Sequence, residues 1–160
     1  MPEEAVMWWL IVINILAWLL IHLGVASLGT QLAPNRFDPA GWLFRGRRWE
    51  RGGEFYEKRF AIKTWKGMLP DGAALFKQGF RKKTIRGHGA VYLNRFLLET
   101  CRSEVVHWTV LGFSLVFFFW NSWRVGMVMV AYGVVANLPC ILVQRYNRLR
   151  LTVALKRMTI

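Results

Sequence analysis

The fold is decided by two apolar blocks on either side of a short polar turn: "VVHWTVLGFSLVFFFWNSW", residues 105–123, and "VGMVMVAYGVVANLPCILVQ", residues 125–144. Each block has about the 20 apolar residues that a helix needs to cross the hydrocarbon core of a bilayer. Asn121, Ser122 and Arg124 lie at the junction, where polar residues indicate a turn. The stretch therefore predicts a helical hairpin of two membrane-spanning helices.

A third apolar block, residues 7–27, precedes the hairpin. Only Glu3 and Glu4 carry charge before it, so it lacks the basic region of a signal peptide. It is also long for the apolar core of such a peptide. We therefore expect this block to be retained as the first of three transmembrane helices.

The 160-residue chain combines a hydrophobic content of 54% with a formal net charge of +13. A soluble domain of this size could not hide so much apolar surface. A nucleic-acid-binding protein would account for the charge but not for the apolar blocks. A membrane protein accounts for both, because apolar segments span the bilayer and basic segments face anionic headgroups. The expected partner is therefore membrane lipid, and no nucleic acid.

The basic residues are unevenly distributed along the chain. Of the 22 Lys and Arg residues, 16 lie between residues 28 and 104, five follow residue 144, and none precedes the first apolar block. Positive charge is enriched on the cytoplasmic side of membrane proteins. This distribution predicts an N-terminus outside the cell and a C-terminus in the cytoplasm.

The long middle segment, residues 28–104, intersperses aromatic with basic side chains. Such a composition is typical of short amphipathic helices that lie in the membrane interface. Asp38 as an N-cap and Pro39 at the first helical position predict where one of them begins. We therefore predict an all-α integral membrane protein, in which residues 1–160 form one membrane domain of three transmembrane helices plus short interfacial helices.

The last apolar block carries a stripe of polar residues. At about 100° per residue, Asn137, Gln144 and Arg148 lie within about 40° of one another around a helix. Pro139 lies inside the stripe and leaves the carbonyl of Val135 without its helical hydrogen bond. Polar groups at this depth indicate a functional site, although Asn137 could also serve only to hold helices together.

A second polar cluster, "ETCRSEVVHW" at residues 99–108, overlaps the start of the middle block. Glu104 and His107 are three residues apart and share a helix face, and a carboxylate beside a histidine orients the ring as a general base. A purely structural ion pair is one alternative. A metal site is another, but metal sites in helical bundles repeat the Glu-x-x-His spacing, and it occurs here once. We therefore expect no metal and no cofactor.

The hairpin returns the chain to the membrane face at which its first helix begins, so the two polar clusters are expected to meet. This arrangement predicts His107 as the catalytic base, Glu104 as the residue that orients it, and Asn137 as a group that stabilises an oxyanion. Arg145 and Arg148 follow at once, with guanidinium groups that suit a phosphate or an oxyanion.

Three segments carry a resemblance to a known family: "EKRFAIKTWKGMLPDG" (57–72), "ETCRSEVVHW" (99–108) and "ANLPCILVQRYNRLRL" (136–151). In this order they resemble the glycosyl-4,4'-diaponeurosporenoate acyltransferases, small bacterial membrane proteins that end staphyloxanthin-type carotenoid synthesis. The resemblance implies transfer of a fatty acyl group to a sugar hydroxyl of a glycosylated lipid. The residues in these segments that we predict to bind substrate are Gln144, Arg145, Asn147, Arg148, Arg102, Glu99, Lys63, Trp65, Lys66 and Asp71.

The chain departs from better-known acyltransferases, because it has neither a His-x-x-x-x-Asp motif nor a Gly-x-Ser-x-Gly elbow. The leading hypothesis is a multi-pass acyltransferase of the bacterial inner membrane, with its site at the cytoplasmic face. Its acyl donor would be a thioester or a phospholipid, and its acceptor a carotenoid glycoside or a related glycolipid. The alternatives are a non-catalytic lipid-binding scaffold and a metal-dependent lipid-modifying enzyme. Three helices form a thin wall around an acyl chain, which favours a homo-oligomer.

Overall fold

The computed structural model describes residues 3–69 and 89–158. Within these ranges every regular element is helical, which confirms the predicted all-α class. The α-helices are α1 Glu3–Gln31, α2 Glu54–Phe60, α3 Ile62–Trp65, α4 Ala90–Phe113 and α5 Trp123–Met158. Short 3₁₀ helices cover Pro34–Arg36, Arg48–Gly53, Lys66–Met68 and Ser114–Phe119.

Two of the described helices are long and apolar enough to cross a bilayer, Glu4–Gln31 and Trp123–Met158. They contain the predicted spans at 7–27 and 125–144. The predicted span at 105–123 is divided in the structure between the second half of α4 and the 3₁₀ helix that follows it. A membrane crossing by this middle segment therefore stays a prediction.

The predicted hairpin is present, since α4 packs along α5 after a short reversal of the chain. Both helices are longer than the apolar blocks that predicted them, because α4 begins at Ala90 and α5 continues to Met158. Hydropathy alone detects the part of a helix that is apolar all round. It misses a continuation in which only one face is apolar.

The continuation of the hairpin has a core of its own. Leu93, Phe96 and Leu97 of α4 are spaced on one helix face, and they pack against Leu151 of α5. On α4, Asn94 and Arg95 are exposed, and the buried Thr100 donates to the carbonyl of Leu97 at 2.6 Å. The hairpin therefore extends past the apolar blocks as an ordinary amphipathic helix pair.

The predicted helix start at Asp38 and Pro39 was wrong. The Asp38 carboxylate accepts a hydrogen bond from the backbone N–H of Ala40 at 2.9 Å, and its carbonyl accepts one from Gly41 at 3.0 Å. Residues 39–45 then form turns and bends. An Asp side chain that bonds two residues ahead closes a local turn as readily as it caps a helix, and here the turn prevails.

A sharp reversal before α2 brings the short helices against α5. Arg51, Gly52 and Gly53 have φ of 48°, 62° and 103°, in the left-handed region that glycine adopts without cost. A Cβ on Gly53 would lie 3.2 Å from side-chain carbons of Tyr146 and Arg150. The two glycines therefore allow both the turn and the close approach.

The short helices also leave large aromatic side chains uncovered. Trp42 is 73% exposed and Trp49 is 55% exposed, and each has an arginine within three residues in the sequence. Exposed Trp with neighbouring Arg suits the boundary between headgroups and acyl chains. Placement of this segment in the membrane interface remains a prediction.

Helix α1 packs on the hairpin through an aromatic cluster and a set of side-chain hydrogen bonds. Trp18 stacks on Phe117 with ring centroids 4.8 Å apart, and Val110 joins the same cluster. Asn14 lies one turn before Trp18 on α1. Its side-chain amide exchanges hydrogen bonds of 3.0 and 2.9 Å with that of Asn121. The indole N–H of Trp120 also donates to Asn14, at 2.8 Å.

Replacing Asn14 with Leu should lower the stability of the fold by about 1–2 kcal/mol, because Oδ1 of Asn121 loses its donor and the Trp120 indole N–H loses its acceptor in an apolar setting. Thermal unfolding of the detergent-purified protein, followed by tryptophan fluorescence, measures the change. Asn94→Leu is the matched control, since Asn94 is exposed on α4. Equal melting temperatures for the two variants would show that the hydrogen bonds of Asn14 do not stabilise the fold.

Candidate functional site

A buried ionic network connects α4, α5 and the segment before α2. Glu104 of α4 lies 2.5 Å from Nη1 of Arg148 and 3.8 Å from Nη1 of Arg145. Arg145 also pairs with Glu50, with Nε at 2.6 Å from Oε1. Glu50, Glu104 and Arg148 are each at most 2% exposed. Two negative and two positive charges thus balance in the interior, as buried charges require.

Glu50 is the centre of this network on the loop side. Its carboxylate accepts hydrogen bonds from the backbone N–H of Arg47 at 2.5 Å, the Tyr56 hydroxyl at 2.7 Å, and Nε and Nη2 of Arg145 at 2.6 and 3.1 Å. Burial acts to raise the pKa of Glu50, but the bonds from Arg145, Arg47 and Tyr56 prevail and lower it. The carboxylate is therefore held in its charged form.

The same arginines bind backbone carbonyls of the loop between α1 and α2. Arg145 donates to the carbonyls of Leu43 and Arg45 at 3.0 and 3.2 Å, and Arg148 donates through Nε to the carbonyl of Phe44 at 3.0 Å. The Arg148 guanidinium also lies 5.1 Å from the centroid of the Phe44 ring. The two arginines therefore fasten the loop to α5.

These contacts give three predicted site residues partners different from those expected. Glu104 was expected to orient His107, but its carboxylate is engaged by Arg148 and Arg145. Arg145 and Arg148 were expected to bind an anionic substrate, but protein oxygens occupy the donors of Arg145, and Arg148 is paired with Glu104 and bonded to the Phe44 carbonyl. Their convergence with Glu104 was predicted, and the structure brings the three together.

His107 is held by Asn137. Nδ1 of the half-buried His107 lies 3.0 Å from Oδ1 of Asn137, which is 1% exposed, and Nδ2 of Asn137 donates to the carbonyl of Gly133 at 3.0 Å. The hairpin therefore joins the two polar clusters as the sequence predicted, with Asn137 beside the imidazole.

The hydrogen bonds define which nitrogen of His107 carries the proton. A carbonyl only accepts, so the Gly133 carbonyl must face the NH₂ group of Asn137 and leaves Oδ1 pointing at the ring. Oδ1 also only accepts, so Nδ1 of neutral His107 must be the N–H donor. The acceptor lone pair of the ring is then on Nε2. This tautomer is the one that a general base acting through Nε2 needs.

Gln144 lies farther along α5, on the stripe that the sequence predicted. It is half-buried, and its Oε1 is buried without a hydrogen-bond partner. Asn137 and Arg145 of the same helix donate to protein acceptors, whereas Arg148 donates through Nε and forms an ion pair with Glu104. Of the two side-chain amides in this stripe, that of Asn137 is hydrogen-bonded within the protein and that of Gln144 is not.

Glu99 and Arg102, predicted to bind substrate, form a buried pair at 2.6 Å. Nη1 of Arg102 also donates to the carbonyls of Thr30 and Leu32, at 3.3 and 3.2 Å. These carbonyls lie at the C-terminal end of α1, where helical carbonyls lack partners and favour a cation. The pair therefore joins α1 to α4.

The remaining predicted residues lie on the loop side of α5. Nζ of Lys66 is 3.3 Å from Oδ1 of Asn147, which brings two predicted residues together. Lys63 pairs with Glu57 at 2.8 Å, and the Trp65 indole donates to the carbonyl of Phe60 at 2.7 Å. Asp71 lies outside the described residues.

Neither thiol has the setting of a nucleophile. Cys101 is completely buried, and burial raises its thiol pKa to about 11 although the Arg148 guanidinium acts in the opposite direction. Cys140 lies within α5. Among residues 3–69 and 89–158, no three metal-ligating side chains form a cluster.

Sequence reasoning missed Glu50, Tyr56 and the carbonyl groups of residues 43–45. Their segment was read as an amphipathic surface because its aromatic and basic residues are so prominent. One signal was available: the chain has nine acidic residues against 22 basic ones, so each carboxylate is a scarce partner for a buried arginine. Backbone carbonyls leave no trace in a sequence, and only the folded loop reveals them.

A family model for "Glycosyl-4,4'-diaponeurosporenoate acyltransferase" matches residues 39–157, a range that contains the ionic network and the His107–Asn137 pair. Proteins of that name from Staphylococcus aureus strains N315 and bovine RF122 / ET3-1 are 31% and 30% identical to the chain. Each match covers 139 residues, which is 87% of this chain and 84% of the relative. No solved structure matches the chain significantly.

Replacing Glu50 with Gln should destabilise the protein by about 3 kcal/mol, because it breaks a buried ion pair and leaves the charge of Arg145 without its main partner. The effect should depend on pH. The pKa of Glu50 is lower in the fold than its ordinary value of 4.5, so its contribution is complete above that value and is lost as the pH falls through the folded pKa.

Denaturant unfolding in micelles between pH 3 and pH 7 measures this dependence, with the pH values chosen about the ordinary range of a carboxyl group. Glu54→Gln is the control, because the Glu54 side chain is half exposed and pairs only with Lys58 at 3.6 Å. A Glu50→Gln protein with the stability of the control at neutral pH would show that the network is dispensable.

Proposed function

Because the chain belongs to the glycosyl-4,4'-diaponeurosporenoate acyltransferase family, we propose that it transfers a fatty acyl group to a hydroxyl of a glycosylated carotenoid acid or a related glycolipid. The family is one of acyltransferases, so the reaction class follows from membership. The acceptor is inferred from the name of the relatives and from the apolar helices, which suit a lipid substrate.

The observation that supports the site is the hydrogen bond between His107 and Asn137. In the proposed reaction, Nε2 of His107 takes the proton from the acceptor hydroxyl as its oxygen attacks the acyl carbonyl. A tetrahedral oxyanion forms, the bond from the carbonyl carbon to the leaving group then breaks, and His107 returns the proton to that group. Asn137 keeps the ring in the required tautomer throughout.

The oxyanion needs a hydrogen-bond donor that is not used elsewhere. We assign this role to the amide NH₂ group of Gln144, since Asn137 and Arg145 donate to protein acceptors and the charge of Arg148 is paired with Glu104. Asn137 then acts by orienting His107, and Glu104 with the two arginines acts by positioning α4, α5 and the loop. The arginines contribute positive potential rather than direct contacts to the reacting atoms.

The proposed location is the cytoplasmic leaflet of a bacterial inner membrane. The density of Lys and Arg after α1 and at the end of α5 supports a cytoplasmic loop and C-terminus, with the N-terminus outside. In this arrangement α4 crosses as the middle span, and the exposed Trp42 and Trp49 lie in the interface. A homo-oligomer would enclose the acyl chain more completely than one copy can.

Replacing His107 with Gln should lower the rate of acyl transfer by about 10²–10⁴-fold, the range that general-base catalysis contributes. The assay uses the purified protein in nanodiscs, a radiolabelled acyl donor and a glycosylated carotenoid acceptor. His22→Gln is the control, because His22 lies on α1 and its ring bonds to the carbonyl of Trp18. Full activity of the His107 variant would show that His107 is not the base, whereas no transfer by the wild-type protein would favour the non-catalytic scaffold.

Variants at Asn137 distinguish the orientation of the His107 ring from its action as a base. Asn137→Leu removes the acceptor of the Nδ1–H bond and should lower kcat by about tenfold or more, as loss of an orienting partner does elsewhere. Asn137→Asp keeps an acceptor for the Nδ1–H bond and adds a negative charge that favours the protonated ring, so the acidic limb of the pH–rate profile should move to higher pH. An unchanged profile in the Asp variant would place Asn137 outside the mechanism.

A further inference from the structure

A cluster of cations surrounds Tyr146 and Glu57 on the side of α5 away from the ionic network of Glu104. Nζ of Lys63 is 2.8 Å from Glu57, and Nε of Arg150 is 3.9 Å from the same carboxylate. The Tyr146 hydroxyl donates to Glu57 at 2.8 Å, so this carboxylate has three partners. Lys66 completes the cluster, with Nζ 4.9 Å from the centroid of the Tyr146 ring.

The cluster is not balanced in charge. Lys63, Lys66 and Arg150 contribute three positive charges and Glu57 contributes one negative charge, which leaves two positive charges in excess. Lys58 does not change this count, because it pairs with Glu54. The ionic network around Glu50 and Glu104, in contrast, is neutral.

Lys66 carries the excess charge at the most enclosed position. It is half-buried, and its partners are neutral: the amide oxygen of Asn147 and the face of the Tyr146 ring. Burial and the nearby charge of Lys63 lower the pKa of Lys66. A cation that is partly desolvated, repelled by a neighbour and without a carboxylate of its own favours the arrival of an anion.

The surroundings of the cluster permit an anion to reach it. The side chains of Lys63 and Arg150 are 58% and 49% exposed, so both can turn toward a ligand without unfolding. The cluster also lies beyond residue 144, where the last apolar block ends. Its depth is therefore that of a headgroup or of a carrier approaching from the cytoplasm.

We propose that Lys63, Lys66 and Arg150, with Asn147, form a binding site for a dianionic phosphate group of the acyl donor. The assignment to the donor rests on the proposed function, whereas the phosphate site itself does not. Two excess positive charges match a phosphate monoester or a pyrophosphate, each of which carries close to two negative charges at neutral pH. A phosphodiester headgroup carries only one, so it is matched less well.

Such a dianion can belong to a nucleotide-linked thioester carrier or to a lipid with a terminal phosphate. The first source is tested by equilibrium binding of coenzyme A to the full-length protein in phosphatidylcholine nanodiscs. The second is tested by native mass spectrometry of the detergent-purified protein, comparing adducts of phosphatidic acid with those of phosphatidylglycerol. Saturable binding of coenzyme A, or a clear preference for phosphatidic acid, supports the site.

Lys66→Met keeps the apolar stem against Tyr146 and removes the charge. It should weaken binding of coenzyme A, or of phosphatidic acid, by about tenfold or more, since a charge-assisted hydrogen bond is lost. Lys66→Arg should restore most of the binding. Lys58→Met is the matched control, because it removes an equal charge from a 71% exposed lysine on α2. Melting temperatures of the variants verify that they fold.

Several outcomes would overturn the proposal. They are equal binding by the wild type and Lys66→Met, an equal loss in Lys58→Met, and the absence of saturable coenzyme A binding together with equal adducts of phosphatidic acid and phosphatidylglycerol. Binding and catalysis are separable, because His107→Gln should lose acyl transfer and keep coenzyme A or phosphatidic acid binding. If His107→Gln keeps its transfer activity while Lys66→Met loses binding, the proposed mechanism fails and the phosphate site stands.

Discussion

The structure depends on the compensation of charges that are removed from water. Glu50 and Glu104 are almost completely buried, and each carboxylate would be too costly at that position without an arginine. Arg145 and Arg148, one turn apart on α5, meet this need from one helix face. Because the carboxylates come from two separate elements, the same pairs fix the segment before α2 and the middle of α4 against α5. These ion pairs therefore determine how the segment before α2 lies against α4 and α5.

The ionic network also stabilises the position of the His107–Asn137 pair. The imidazole and the amide lie on different helices, so their hydrogen bond requires the relative position of α4 and α5 to be maintained. The ionic network fixes that position near Glu104, one turn from His107. The carbonyl of Gly133 then orients the amide, and the amide selects the tautomer. The ionic network has no net charge and holds the two helices in place. The acid–base chemistry of the neutral His107 ring is therefore separate from the structural charges.

The arginines of α5 thus serve two different purposes. Arg145 and Arg148 are paired with acceptors of the protein and organise it. Arg150, with Lys63 and Lys66, belongs to a cluster with an excess of positive charge and only one carboxylate. In the proposed enzyme the first pair stabilises the site and the second cluster receives the phosphate of the donor. Sequence proximity conceals this division, since the arginines occur within a few residues of one another.

The sequence by itself determined the helical hairpin, the all-α class, the stripe of polar residues on the last helix and the family, because hydropathy, helical spacing and short segments are local properties. It also placed His107 near Asn137, since an antiparallel hairpin brings its open ends together. Only the tertiary structure decided that Glu104 pairs with arginines, that Glu50 and the carbonyls of residues 43–45 are their acceptors, and that Asp38 closes a turn. A charged side chain in the interior pairs with whatever partner the packed elements bring within reach, and spacing along the chain does not contain that information.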